Sequence, residues 1–408
     1  MKKVTFISQF FPPDFAATGQ LLDRLTIKLS YLGIKLVIFS GMPFYAFKNK
    51  RVNRYEYKNN RLILRTRFST FFGKKFYGRG INSFLFTINA LYNLLFIYPK
   101  SDLLIFTTEP PFLPFIAIVN YFLKKTKYLL IIYDSYPNIL FENKLIKKEN
   151  LIIKFWLFLN KNVYKNAEKI ILLSKPMAEK FADDYPSSKE KIEIIPSWAN
   201  VNTIKPLPKE NNWFIKKHKL INKFVILYSG NQGRCHDIQT ILDAALRLKN
   251  HEKILFLFIG GGYQNKLITQ FKNINKLNNI ELLGYQDYED LPFSLTSGDL
   301  ALVSIAEGAA NLVAPSKLYG HLAAGTPIGV ISPANSYLEK LVTFNKIGKS
   351  FRNGESKKLK EWILNLYEDE ESKIIYSENS REFIINNFTE EIITKKYYDV
   401  IHSIIGIH

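Results

Sequence analysis

"FVILYSGNQGRCHDIQTILDAA", residues 224–245, decides the fold. Its opening residues are apolar throughout, which is the mark of a strand buried on both faces of a parallel sheet. Gly230 and Gly233 follow, and a helix is expected over 237–249. Glycines in such a loop let backbone N–H groups approach a phosphate, and the helix start adds positive potential. Arg234 can add a charge-assisted bond. The spacing is neither a GxGxxG fingerprint nor a Walker loop. The same residues also read as a plain tight turn, with Asp237 as the cap.

The pattern repeats on both sides of this unit. Downstream come "ILFLFIGGG", a helix, "IELLGY", a short helix and "DLALVSI". Upstream, strands "KVTFISQF", "KLVIFSG", "DLLIF", "YLLIIY", "KIILLS" and "KIEIIP" alternate with helices near 19–32, 80–97, 112–124 and 150–166. The segment between the second and third of these strands reads as an irregular basic stretch. "SWANVNTIKPLPKENNWF", from 197, is rich in proline and asparagine and breaks the alternation as a linker. An α/β chain of two doubly wound, Rossmann-like domains is expected, over 1–205 and 206–380, with ligands in the cleft between them. The tail 357–408 reads as two or three helices.

The chain has 408 residues and a formal net charge of +20. Residues 1–205 hold 32 lysines and arginines against 14 acids, a net +18, and residues 206–408 hold 24 against 22, a net +2. The first half is therefore expected to meet something anionic, either nucleic acid or a membrane surface. The single cysteine, Cys235, excludes a disulfide framework and fits a reducing, cytoplasmic setting. The N-terminal run is a strand and not a secretion signal. The apolar runs 83–98 and 112–123 fall short of the roughly 20 residues that span a bilayer, so no transmembrane helix is expected. The segment 71–100 mixes lysine and arginine with aromatics and leucines, the composition of an interfacial surface.

Other stretches carry candidate chemistry. In "VAPSKLYGHLAAGTP", 313–327, Pro315 suits a first helical turn, with Ser316, Lys317 and Leu318 at its start. A diphosphate held between this helix start and the 230–234 loop would meet two dipoles and two cations. In "SIAEGAAN", 304–311, Glu307 stands on a loop at a strand's carboxyl end, placed to accept bonds from sugar hydroxyls or simply solvated. In the first half, "PPDFAATGQ" puts Gly19 at the opening of a helix, and "IIYDSYP" puts Asp134 just past a strand. Glu109 in "TTEPPF" is similar. His236, His251 and His321 have no partner at ligand spacing, and no metal is expected. Neither a Ser-His-Asp set nor an activated cysteine is evident.

Taken in order, these motifs resemble the retaining GT-B glycosyltransferases of family GT4, nearest to the colanic-acid and WbuB-type transferases of polysaccharide and O-antigen synthesis. The resemblance rests on "SQFFPPDFAATGQLLDRLTIKLSYLGIKLVIFSG", "DLLIFTTEPPFLPFIAIV" before "YDSYPNILFE", "IIPSWAN", "YSGNQGRCHDIQTILDAA" and "APSKLYGHLAAGTPIGVI". It implies metal-independent, cofactor-free transfer of a sugar from a nucleotide-diphosphate donor to a lipid-linked or glycan acceptor, as in O-antigen, capsule or lipopolysaccharide synthesis. By resemblance Gly230, Gly233, Arg234, Ser316, Lys317 and Leu318 hold the donor, with Glu307 beside them. Gly19 faces the transferred sugar or phosphate, and Glu109 and Asp134 lie on the acceptor side. Asp134, Arg234 and Lys317 are the catalytic candidates. The family's last helix commonly returns to the first domain, here 381–408. Where many members carry two glutamates eight positions apart, this chain has Leu312 and Gly320. A cytoplasmic enzyme peripheral on the inner face of the membrane, with a polyprenyl-pyrophosphate acceptor, is the expectation. A GT-B nucleotide-sugar epimerase and a basic nucleic-acid-binding protein are the alternatives.

Overall fold

The computed structural model describes residues 2–14, 16–43, 52–72, 76–142, 146–147 and 149–406. Two compact units emerge. Unit 1 is Met1–Pro196 with Asn311–Ala314 and Glu391–His408, and unit 2 is Ser197–Ala310 with Pro315–Glu390.

Unit 1 runs β1 (Lys3–Ser8), α1 (Ala17–Tyr31), β2 (Lys35–Gly41), β3 (Tyr55–Lys58), β4 (Arg61–Thr66), α2 (Phe76–Tyr92) and β5 (Leu103–Thr107). It continues with α3 (Leu113–Lys124), β6 (Lys127–Ile132), α4 (Asn138–Glu142), α5 (Leu151–Asn166), β7 (Lys169–Leu172), α6 (Lys175–Asp184) and β8 (Ile192–Ile194). The sheet order is β3-β4-β2-β1-β5-β6-β7-β8. All pairings are parallel except β3 with β4. Val4, Phe6, Ile105, Phe106, Leu129 and Ile131 are buried, as strands covered on both faces must be.

The β3–β4 hairpin lies in the stretch that reads as irregular. Asn59 and Asn60 turn it at φ 51° and 56°, the left-handed pair that a two-residue hairpin loop requires. Arg61 and Arg65 are buried and paired, Arg61 with Asp23 at 2.9 Å and Arg65 with Glu56 at 2.7 Å. Their charges hide the strand pattern from a hydropathy reading.

Unit 2 comprises α7 (Trp213–Lys217), β9 (Phe224–Asn231), α8 (Gln239–Arg247), β10 (Ile254–Gly261), α9 (Asn265–Ile274), β11 (Ile280–Leu283), α10 (Leu291–Leu295) and β12 (Leu300–Ser304). Then come α11 (Lys317–Ala323), β13 (Ile328–Ile331), α12 (Tyr337–Phe344), β14 (Gly348–Phe351), α13 (Ser356–Glu368) and α14 (Glu370–Asn387), before α15 (Glu390–Ile405). The order β11-β10-β9-β12-β13-β14 is wholly parallel. Its core clusters around Ile226, Tyr228, Ile241, Phe256, Phe258 and Leu302.

Two boundaries differ from the expectation. The units divide after Pro196, not after 205, because 197–204 is tied to α14. Ala199 bridges Thr389, and Arg381 donates to the carbonyls of Val201 and Ile204 at 2.8 Å each. For the same reason residues 381–390 belong to unit 2, and the segment grouped with unit 1 begins at Glu391, where Lys28 pairs with its carboxylate at 3.0 Å.

The helix near 80–97 is also longer than its apolar run. It is continuous over Gly78–Ile97, 20 residues of mean hydropathy 1.4, long and apolar enough to cross a membrane by length and composition, where the apolar run alone falls short. One side of it is buried in unit 1, at Asn82, Phe86, Ala90 and Leu94.

Candidate donor and acceptor sites

Each sheet reverses its strand order once, and ligands of such sheets bind at the strand carboxyl ends beside that reversal. In unit 2 the reversal lies between β9 and β12, and in unit 1 between β1 and β5. The sequence candidates fall on these loops.

In unit 2, β9 delivers Gly230 at φ 123°, and the neighbouring β10 delivers Gly260 at φ 124°. A Cβ on Gly260 would lie 2.3 Å from the Gly230 carbonyl oxygen, so only glycine lets the two strand ends run this close. A Cβ on Gly230 would meet Lys317 Cε at 3.6 Å, which brings the two sequence motifs together. Lys317 Nζ donates to Tyr228 Oη at 2.5 Å and to the Asn231 carbonyl at 3.1 Å. It also lies 3.9 Å from the Tyr228 ring centroid. Burial pushes its ammonium down to about 7.

The loop itself is pinned. Gln264 Nε2 donates to the carbonyls of Gly233 at 2.6 Å and His236 at 2.8 Å. Asp237 accepts from Thr240 N at 3.0 Å and Oγ1 at 2.6 Å, so it caps the turn as the plain reading allowed. Arg234 is exposed, with its guanidinium 3.3 Å from the Tyr263 ring centroid. The Ala306 N–H donates to the Cys235 carbonyl at 2.9 Å, joining this loop to the one that carries exposed Glu307.

Ser316 and Leu318 flank Lys317 at the start of α11. Ser316 makes no side-chain cap, and α11 is only seven residues long. The Leu318 side chain is fully buried and its N–H is bonded to the Pro315 carbonyl at 3.2 Å.

Sequence reasoning passed over Tyr228 and two histidines. His236 Nδ1 lies 2.7 Å from the Ser304 carbonyl, which only accepts; Nδ1 therefore carries the proton, and Nε2 is left as an acceptor. Burial, and then the Lys317 charge, pushes His236 down to about 3. His321, one turn after Lys317, is buried and neutral for the same two reasons. The only signal for them in the sequence was their spacing from the glycine loop and the lysine. Among the described residues no three His, Cys, Asp or Glu side chains cluster as a metal site would.

In unit 1, Glu109 follows β5 and Asp134 follows β6, on adjacent strands. Thr18 Oγ1 donates to Glu109 Oε2 at 2.8 Å. The hydroxyl of Thr108 accepts from Tyr133 N at 3.2 Å and Asp134 N at 3.4 Å, linking the two loops. Burial raises the Glu109 carboxyl, and the Thr18 bond partly offsets this. Burial, and then the Glu109 charge, raises Asp134 to about 7. Both carboxyls are thus pushed toward the protonated form by the same burial. Thr18 escaped the sequence reading because its partner lies 91 residues away. Gly19 has a packing reason, since a Cβ there would sit 3.0 Å from the Phe10 backbone.

Residues 210–383 match the family model described as "Glycosyl transferases group 1". The chain is 27% identical over 222 residues, 54% of its own length and 55% of the other's, to "Probable glycosyltransferase WbjE" of Pseudomonas aeruginosa. It is 28% identical over 178 residues, 43% of each, to "Putative colanic acid biosynthesis glycosyl transferase WcaI" of Escherichia coli K12. The chain spans about half the length of the curated relatives it matches. Among solved structures it resembles sucrose-phosphate synthase of Thermosynechococcus elongatus, with a TM-score of 0.78 at 16% identity over 99% of both chains. It also resembles Anabaena HepE in complex with UDP-glucose, at 0.73 and 14% over 99% and 100%. WaaG, a glycosyltransferase involved in lipopolysaccharide biosynthesis, gives 0.70 and 12% over 97% and 99%. These similarities, on top of the two parallel sheets, make the fold GT-B. Residues 210–383 thus resemble the group 1 glycosyl transferases, and the chain that carries them has the GT-B fold.

Proposed function

We propose that the chain is a glycosyltransferase of cell-surface polysaccharide synthesis, of the GT4 type. It moves a sugar from a nucleoside-diphosphate donor to a lipid-linked or glycan acceptor with retention of configuration. The observation that carries this reading is the Lys317 ammonium held over Gly230 at the β9–β12 reversal, with Arg234 on the same loop. Two cations around an opened glycine loop match a diphosphate in charge.

In this mechanism the bond from the anomeric carbon to the diphosphate oxygen breaks first. Lys317 and Arg234 neutralise the charge that develops on the departing diphosphate, so no metal ion is called on. The oxocarbenium-like sugar is then captured on the same face by an acceptor hydroxyl, whose proton passes to the departing diphosphate oxygen as the new glycosidic bond forms. Asp134, tuned by Glu109, accepts a hydrogen bond from that hydroxyl and orients it. Glu307 takes a sugar hydroxyl in place of the glutamates replaced by Leu312 and Gly320. The basic first half draws the enzyme to the anionic inner surface of the cytoplasmic membrane, where a polyprenyl-pyrophosphate acceptor would reside.

A thermal-shift series with UDP, GDP, ADP, CMP and their sugars, without metal and then with magnesium, tests the reading. One nucleoside diphosphate should stabilise the protein, and the Lys317→Ala and Arg234→Ala variants should lose that shift. Absence of a shift with every nucleotide, metal included, would sink the donor-site assignment.

A further inference from the structure

Three crossover helices of unit 1 leave large apolar side chains in solvent. α2, α3 and α5 follow β4, β5 and β6 in turn, each leading to the next strand on one side of the sheet, so right-handed crossovers place all three on one face. α3 packs against both of the others, and Phe112 and Phe115 reach Trp156 at 5.0 and 6.2 Å. Each helix buries one side and exposes the other. On α2 and its continuation the exposed side carries Ile81, Phe84, Ile88, Tyr92 and Phe96, the last 72% exposed. On α3 it carries Val119, Phe122 and Leu123, and on α5 Leu151, Ile152, Phe155 and Phe158. A soluble helix puts polar residues on that side.

Charge says what covers this face. α2, α3 and α5 contain no aspartate or glutamate, yet they carry Arg79, Lys124, Lys154, Lys161 and Lys165. The next helix of the same layer, α6, has Glu179, Asp183 and Asp184 and exposes no large apolar side chain among its described residues. The apolar, acid-free surface therefore stops at α5 and is not a general property of the unit. Aromatics and aliphatics interleaved with lysines suit the boundary between acyl chains and anionic headgroups.

We propose that the outward sides of α2, α3 and α5 form one dock that inserts into an anionic lipid bilayer, lying in its interface without crossing it. Crossing is excluded by the buried side of α2. Phe86 stacks on Phe39 at 5.7 Å, Asn82 holds the Phe72 backbone at 2.9 Å, and Ser83 donates to Gln9 at 2.9 Å. Standing the helix across a bilayer would strip these contacts from the sheet. The inference deepens the membrane association proposed above, turning attraction by charge into insertion by apolar side chains, and it does not depend on the transferase reading.

The test is sedimentation of the full chain with phosphatidylcholine vesicles and with phosphatidylcholine–phosphatidylglycerol vesicles. It is run at low salt and at about 1 M sodium chloride, where the screening length falls to about 3 Å. The wild type should prefer the anionic vesicles and stay partly bound in high salt. Phe122→Ser, Phe155→Ser and Phe158→Ser alter exposed side chains, so the fold should persist, checked by an unchanged melt. Each should weaken binding by about tenfold. Lys154→Gln with Lys161→Gln should instead flatten the salt dependence. Complete release of the wild type in high salt, with serine variants that bind equally well, would overturn insertion and leave the charge-driven association standing. Failure to bind either vesicle would overturn both. A dimer that the serine variants dissociate, with no vesicle binding, would mean that a second copy covers this face and would also overturn the inference.

Discussion

The ammonium of Lys317 sits 2.5 Å from the hydroxyl of Tyr228, 89 residues away on the central strand of unit 2. Tyr228 accepts this bond, and the Asn231 carbonyl accepts a second at 3.1 Å, so the lysine is aimed before any ligand arrives. If its charge stabilises the leaving diphosphate, Lys317→Ala should lower kcat about 10²- to 10³-fold while the donor KM changes far less. Tyr228→Phe keeps the ring and removes only the hydroxyl. It should lower kcat by a smaller factor and move the pH profile, which a merely structural tyrosine would not do. Steady-state kinetics on both variants decide; a Lys317→Ala enzyme with normal kcat and a raised KM would refute the assignment.

The same lysine sets a pH dependence of stability. Its ammonium titrates near 7 in the fold against an ordinary value of 10.5. Between those values the unfolded chain binds more protons than the folded one, so this group makes stability rise with pH across that window. Below about 7 both states are protonated, and the full cost of burying the charge is present. Lys317→Met should therefore raise the melting temperature at pH 6 to 7 and flatten its rise toward pH 10. A nucleoside diphosphate should reverse the sign, since an anion beside Lys317 favours the ammonium. Calorimetry in buffers of different ionisation enthalpy should show proton uptake on binding at pH 8.

Much of this was legible in the sequence, and the reasons for the gaps are specific. The strand FVILYSG and the glycines after it announced β9 and its loop because parallel strands are apolar throughout. The pairing of that loop with Lys317 was legible as order along the chain, whereas the Tyr228 bond was not, because a tyrosine inside a buried strand reads as core. The β3–β4 hairpin was lost because Arg61 and Arg65 occupy inward positions, which their bonds to Asp23 and Thr26 of α1, to Glu56 across the hairpin and to the Asn53 and Pro12 carbonyls make tolerable. "KNN" between two β-rich runs was the available turn signal. Helix α2 was read short because glycine and arginine interrupt its apolar run without ending the helix.

In unit 1, Asp134 titrates near 7, raised first by burial and then by the charge of Glu109. If the ionised Asp134 orients the acceptor, activity should rise with pH through about 7. Glu109→Gln removes the repelling charge and should shift that acidic limb to lower pH. Thr18→Val removes a bond that favours the Glu109 carboxylate. A pH–rate series on the three proteins checks this, and an acidic limb unmoved in Glu109→Gln would rule out the coupling. The stability sign runs opposite to that of Lys317. A raised carboxyl binds more protons folded than unfolded between 3.8 and about 7, so its contribution to stability falls as pH rises through that window. Asp134→Asn should thus be more stable than the wild type at pH 8 and much less active.

Gly260 tests whether loop geometry, apart from charge, makes the donor site. Its φ of 124° is strained for any other residue, and a Cβ would lie 2.3 Å from the Gly230 carbonyl oxygen. Gly260→Ala should therefore cost about 1–3 kcal/mol of stability, and it should push Gly230 off the position from which Lys317 is packed. Gly354 is the control, because its φ is 85° but nothing lies within 4 Å of an added Cβ. Gly354→Ala carries the backbone strain without the displacement. Denaturation curves should show both variants weakened. Only Gly260→Ala should also lose nucleotide affinity when binding is measured well below its melting temperature. Equal affinity in the two variants would mean that the close approach of the two strand ends serves packing alone.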